Sequence, residues 1–157
     1  MSIQDFLLDP VTILRLNATI RRGLEQRGRG GKSVARILIA DDDPVVRRLL
    51  ESLLEQAGHQ VRSVENGREA LELVDEGPPF DLVITDIQMP EVDGLELIRA
   101  LRRRDPSPRI IAITSQVGRR GYLHAAEEFG ADLGLVKPAD LERMASIVVK
   151  VLGGADQ

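Results

Sequence analysis

Three aspartates, a threonine and a lysine stand at the ends of short apolar runs in this 157-residue chain. Asp41 and Asp42 follow Ile37-Leu38-Ile39-Ala40, Asp86 closes the run Leu82-Val83-Ile84-Thr85, Thr114 follows Ile110 to Ile113, and Lys137 follows Leu133 to Val136. Carboxylates crowded together repel, which raises their pKa values unless a positive charge sits among them. A hard divalent cation meets that need. Mg2+ prefers oxygen ligands, uses few protein carboxylates and keeps several waters, so it can share its shell with a phosphoryl group. A lysine adds a fixed positive charge, and a threonine hydroxyl can donate to a phosphoryl oxygen. One carboxylate can then stay ionised and attack phosphorus, giving an aspartyl phosphate. Asp86 is the best nucleophile, central and alone at its strand end.

This chemistry requires that the five residues meet. The apolar runs are too short for helices and rich in β-branched residues, which marks buried strands. They alternate with amphipathic stretches. Pro44 opens a helix with Val45, Val46, Leu49, Leu50, Leu53 and Leu54 in a wide stripe, closed by Gly58, and Asp43 reads as its N-cap. Gln60 to Val64 is a weaker strand. Asn66, with Glu69 three residues on, resembles a capping box for a helix to about Gly77. Further helices are expected over about Leu95 to Arg104, Arg119 to Phe129 and Ala139 to Leu152, and strands over Arg109 to Ile113 and Leu133 to Val136. Five strands alternating with helices predict a parallel sheet covered on both faces, an α/β doubly wound fold. Right-handed crossovers leave few arrangements, and the flavodoxin-like (βα)5 order 2-1-3-4-5 is expected, with a crevice beside strands 1 and 3. All the strand ends named above would then lie at one edge.

The chain has no cysteine, which removes disulfides, thiol nucleophiles and thiolate metal sites. No apolar run approaches the ~20 residues of a membrane span, and no signal peptide is visible, so a cytoplasmic protein without membrane insertion is expected. Residues 1–32 carry six Arg and Lys against three Asp and Glu, and the remainder carries fifteen against twenty-two. So acidic a body argues against nucleic acid as its main partner. Residues 1–27 read as a helical extension. Asp9-Pro10 starts it, and Ile13, Leu16, Ile20 and Leu24 fall on one narrow face. Residues 28–33 (GRGGKS) are a linker, 34–153 the main domain and 154–157 a tail. Gly31-Lys32-Ser33 is not a phosphate-binding loop, because the required glycine is replaced by Gln26 and no strand precedes it. In the last helix Ile147 and Val149 flank the core stripe and widen its apolar arc. The helix around Ile13 to Leu24, or a second subunit, is expected to cover part of it, which makes homodimerisation through these two helices an expectation. His59 and His124 read as a turn residue and an isolated helix residue, with no zinc-site spacing.

Arg36 to Leu152 resembles the receiver domain of bacterial two-component response regulators. The resemblance rests on ILIADDDP, DLVITDIQMPEVDG, IIAIT and LVKP, in that order, over about three quarters of the chain. It implies that Asp86 accepts a phosphoryl group from a phosphohistidine on a sensor histidine kinase or a histidine phosphotransfer protein. It implies Mg2+ held by Asp42, Asp86 and the backbone carbonyl of Ile87, with Asp41 contributing directly or through water. Thr114 and Lys137 match the family's switch hydroxyl and phosphate-contacting lysine, and the Lys137-Pro138 bond is a candidate for cis geometry. The chain departs from the family at Gly134 and Ala139, where aromatics are usual, and this bears on readout rather than on phosphorylation. Gln88 and Gln116 occupy positions that in the family help set phosphoryl lifetime.

The resemblance therefore implies a phosphoacceptor switch rather than an enzyme, at most phosphorylating and dephosphorylating itself. Five residues follow Leu152, so a single-domain regulator acting on an unknown downstream protein is expected. A phosphatase of the haloacid dehalogenase type would need a second Asp where Gln88 stands. A flavin-binding protein would need a phosphate-friendly loop where Asp41-Asp42-Asp43 stands. The alternative is a receiver-like module acting as a constitutive interaction or dimerisation domain, without phosphorylation.

Overall fold

The apolar runs pair as expected into a five-stranded sheet. The computed structural model describes residues 9–11, 14, 18, 34–115, 120–137 and 139–153. The strands are β1 (Arg36–Ala40), β2 (Gln60–Val64), β3 (Leu82–Asp86), β4 (Arg109–Thr114) and β5 (Leu133–Val136). They lie in the order β2-β1-β3-β4-β5 with every pair parallel. The intervening helices are α1 (Pro44–Gln56), α2 (Gly67–Glu76), α3 (Gly94–Arg102), α4 (Arg120–Glu128) and α5 (Met144–Gly153). This is the flavodoxin-like doubly wound fold.

Alternation along the strands divides the core in two. Ile37 and Ile39 point to one face, where Leu50 and Leu54 of α1 and Met144 and Val148 of α5 cover them. Leu38 and Ala40 point to the other, with Leu97, Ile98 and Leu101 of α3 and Ala126 of α4. Each fully buried leucine contributes about 1.5–3 kcal/mol, so the helices are held by the sheet far more than by propensity. β3 runs through the middle and every residue in it is buried.

The local signals act as their chemistry suggests. Asp43 accepts a hydrogen bond from Val45 N with Pro44 in the first turn of α1, and Gly58 past its end adopts φ 83°. At α2 the Asn66 side chain accepts from Glu69 N, and the Glu69 carboxylate accepts from Glu65 N, one residue before the N-cap. The last helix differs from expectation. It begins as a 3-10 turn over Leu141–Arg143 and becomes α-helical only at Met144. Ile147 is buried in the chain's own core, so the wide apolar arc is half filled from within and Val149 alone of the two flanking residues stays exposed. His124 is not isolated, since its Nε2 lies 3.3 Å from Glu128 one turn on.

Of the amino-terminal extension, residues 9, 10, 11, 14 and 18 are described, all but Asp9 helical, with Val11 and Leu14 exposed. The expected face of Ile13, Leu16, Ile20 and Leu24 lies outside the described residues, as do the linker 28–33, Gln116, Pro138 and the tail 154–157. Among the described residues no helix is long and apolar enough to cross a membrane.

Candidate phosphoacceptor site

The carboxyl ends of β1, β3 and β5 bring the predicted residues together. Carboxylate oxygens of Asp41, Asp42 and Asp86 lie within 4.8 Å of one another. Between them comes Lys137, whose Nζ donates to Asp41 Oδ2 at 2.8 Å and to Asp86 Oδ2 at 3.3 Å. Asp41 is fully buried, Asp86 is 6% and Lys137 3% exposed, while Asp42 is exposed. A cleft of about 450 Å3 opens over them, lined by Asp42, Asp43, Asp86, Gln88, Ser115 and Lys137.

Electrostatics follow from that burial. Loss of water around Asp86 pushes its carboxyl up to about 6, aided by the neighbouring Asp41 and opposed by Lys137. Burial also raises Asp41, although the ammonium and the Asp43 amide pull the other way. For Lys137 burial alone would lower the pKa, but two carboxylates outweigh it and hold the ammonium above its ordinary value. One cation thus faces two buried anions, with a third carboxylate at the rim. The site is short of positive charge.

Several small features hold the loop that carries Asp86. Thr85 Oγ1 donates to Asp86 O, Ile87 N to Ile113 O and Gln88 N to Asp86 Oδ1. Gly94 N donates to Ile87 O at 2.9 Å. A Cβ at Gly94 would sit 2.1 Å from Asp86 O, so only glycine lets α3 start this close to the loop that follows Asp86. Gly67 permits a similar approach to Val92. On the other side Arg47 of α1 donates from Nη1 to Asp41 O at 2.6 Å.

The remaining predicted residues fall in two groups. Thr114 is buried at the end of β4, one residue beyond Ile113, the register partner of Asp86, but the cleft wall there is formed by Ser115. Ile87 is buried and its carbonyl is engaged by Gly94, whereas Gln88 lines the cleft. Ser115 and Arg47 were not singled out from the sequence. Ser115 could have been found by extending β4 one residue beyond its polar end. Nothing in the sequence separates Arg47 from Arg48 beside it.

At Gly134 the structure shows what replaces an aromatic. A Cβ there would lie 3.1 Å from Leu123 Cδ2 and 3.2 Å from Leu123 Cβ. Leu123 of α4 fills the space above β5, so a large side chain at position 134 would have to displace the helix.

A family model described as the response regulator receiver domain matches residues 37–149. The chain belongs to that family, whose members serve as phosphoacceptor switches in two-component signalling. It is 36% identical over 117 residues to the chemotaxis protein CheY of Thermotoga maritima, covering 74% of this chain and 96% of that one. It is 39% identical over 120 residues to the transcriptional regulator NtrC of Azospirillum brasilense, covering 76% of this chain but only 24% of the relative. The receiver protein CpdR of Brucella abortus is 48% identical over 79 residues, covering 50% of this chain and 65% of CpdR. Among solved structures, response regulator TrrA of Thermotoga maritima, in complex with Mg2+ and BeF, superposes with a TM-score of 0.66 at 36% identity. That match covers 75% of this chain and 99% of TrrA.

Proposed function

We propose that Asp86 is the phosphoacceptor of an Mg2+-dependent switch, loaded from a phosphohistidine. The observation that carries this reading is the convergence of three carboxylates, two of them paired with one buried ammonium, in a cleft of a size to admit a phosphoryl group. Similarity to the sensor histidine kinase GacS of Pseudomonas protegens and to sporulation initiation phosphotransferase F of Bacillus subtilis supports a histidine kinase or phosphotransfer protein as donor. The receiver unit spans 34–153. Its downstream target is another protein, in keeping with the acidic body.

The donor set fits a divalent ion. Asp42 is exposed toward the cleft, Asp86 faces it, and Asp41 stands behind, tied to Lys137 and contributing directly or through water. The main-chain carbonyl expected at Ile87 accepts from Gly94 N and keeps a second lone pair for a ligand, and Gln88, the next residue, lines the cleft. When bound, Mg2+ supplies the positive charge that the carboxylates lack and neutralises the transferring phosphoryl group.

An ionised Asp86 oxygen attacks phosphorus in line with the P–N bond of the phosphoimidazole. The new O–P bond forms as the P–N bond breaks, and the electron pair leaves with the imidazole nitrogen. Lys137, already 3.3 Å from Asp86, pairs with the phosphoryl oxygens as their charge becomes fixed on the protein. Thr114, at the adjacent strand end, is the hydroxyl that follows the phosphoryl group. Its movement is the first step of readout.

The test is incubation with Mg2+ and a small-molecule phosphodonor, followed by intact-mass measurement. Wild type should gain one phosphoryl group, and Asp86→Asn none. Equal labelling of both would rule out Asp86, and no labelling of either would favour a constitutive interaction module.

A further inference from the structure

Arg47 contributes to this site without entering the cleft. Its Nη1 donates to the Asp41 carbonyl at 2.6 Å, and its Nη2 lies 3.4 Å from Glu65 Oε1 just past the end of β2. Its own amide donates to Asp43 O, and Asp41 N donates to Val64 O. The β1–α1 turn is therefore held on both sides of Asp41: its N–H by β2 and its C=O by the first turn of α1. The guanidinium side chain is 15% exposed, so the bond is largely sheltered from competing water.

We propose that Arg47 is a positioning residue for divalent-cation binding, holding the Asp41-Asp42 peptide so that Asp42 meets Asp86 across the cleft. The inference rests on the reading of Asp42 and Asp86 as cation ligands. The carbonyl oxygen of Asp41 and the amide of Asp42 belong to one rigid peptide plane. Fixing that oxygen fixes the plane from which the Asp42 side chain departs. Without Arg47, Asp42, the most exposed of the three carboxylates, would sample orientations that do not face Asp86. A cation would then have to order the turn at its own cost in affinity. Asp43 Oδ1 caps Val45 and Asp41 Oδ1 accepts from Asp43 N, so the turn keeps its local bonds in such a variant and the fold should survive.

The experiment is calorimetric titration of the full chain with MgCl2, comparing wild type, Arg47→Ala, Arg47→Lys and Arg104→Ala. Arg104 pairs with Asp75 away from the cleft and serves as the control. Arg47→Ala should weaken Mg2+ binding about tenfold, the scale of one hydrogen bond from a charged donor. Arg47→Lys, which keeps a single donor, should recover part of the loss, and Arg104→Ala should match wild type. Labelling by a small phosphodonor should return to near the wild-type rate for Arg47→Ala once Mg2+ is saturating, which loss of fold would not allow. Wild-type Mg2+ affinity in Arg47→Ala would overturn the proposal alone. An equal loss in Arg104→Ala would show a general charge effect and also overturn it. Absence of Mg2+ binding by wild type would overturn the reading of the carboxylates themselves, and this inference with it.

Discussion

The charge imbalance at Asp86 has a consequence that can be measured without any partner. Its carboxyl is pushed up to about 6 by burial, above its ordinary 3.8. Between those two values the folded chain binds more protons than the unfolded one, so stability falls as pH rises through that window. The penalty is fully present above the folded pKa. Asp86→Asn mimics the neutral carboxyl and should stabilise the cation-free protein by on the order of 2 kcal/mol at neutral pH. Below about pH 4, where both states bind the proton, the advantage should vanish. Denaturant midpoints of the two proteins across that range check this, and a pH-independent difference would contradict it. Lys137 works in the opposite sense. Its raised pKa adds stability that is fully present below its ordinary 10.5 and lost as pH rises through the higher folded value.

At the scale of elements, β3 and α3 are joined by a loop whose geometry depends on Gly94. The backbone of α3 starts against the Asp86 carbonyl, and any Cβ would overlap it. Gly94→Ala should cost about 1–3 kcal/mol, the usual scale of overpacking a filled site. Because the displaced atoms are Asp86 O and Ile87 Cα, phosphorylation should slow more than stability alone predicts. Phosphodonor labelling at a temperature where the variant is fully folded separates the two effects, and a wild-type rate there would show that the loop absorbs the methyl group. A second seam, between α4 and β5, is closed by Leu123 over Gly134. It fixes how α4 sits beside the carboxyl end of β4, where Thr114 lies.

For the whole molecule, ligand binding and folding are linked through the same cluster. A cation that binds the folded site and not the unfolded chain stabilises the protein by about 2.7 kcal/mol at a hundred times its Kd. Thermal melts of wild type with rising MgCl2 should move upward accordingly, while Asp42→Asn, which removes the rim carboxylate, should flatten the response. An unchanged melt for wild type at millimolar Mg2+ would mean that the acidic cluster is satisfied by Lys137 alone. The clamp at the opposite edge of the sheet should be indifferent to Mg2+. There Arg102 donates to Gly130 O, Ser107 Oγ, Pro108 O and Asp132 Oδ2, tying α3 to the starts of β4 and β5.

Much of this molecule could be read from one dimension because its signals are local and periodic. Short β-branched runs, each ending in a polar residue and followed by an amphipathic stripe, specify parallel strands with covered faces, and the helix caps at Asp43 and Asn66 are written in adjacent residues. Asp41, Asp42, Asp86 and Lys137 were legible for the same reason, since parallel pairing places all strand ends at one edge. What the sequence could not contain is direction across the fold. Which of Ile147 and Val149 turns inward depends on how α5 is rotated against the sheet. Arg47 reaches Asp41, Gln88 lines the cleft where Ile87 is buried, and Leu123 fills the space over Gly134, all through contacts between separate elements. Those contacts are set by how helices seat on the twisted sheet, and only the tertiary structure decides that.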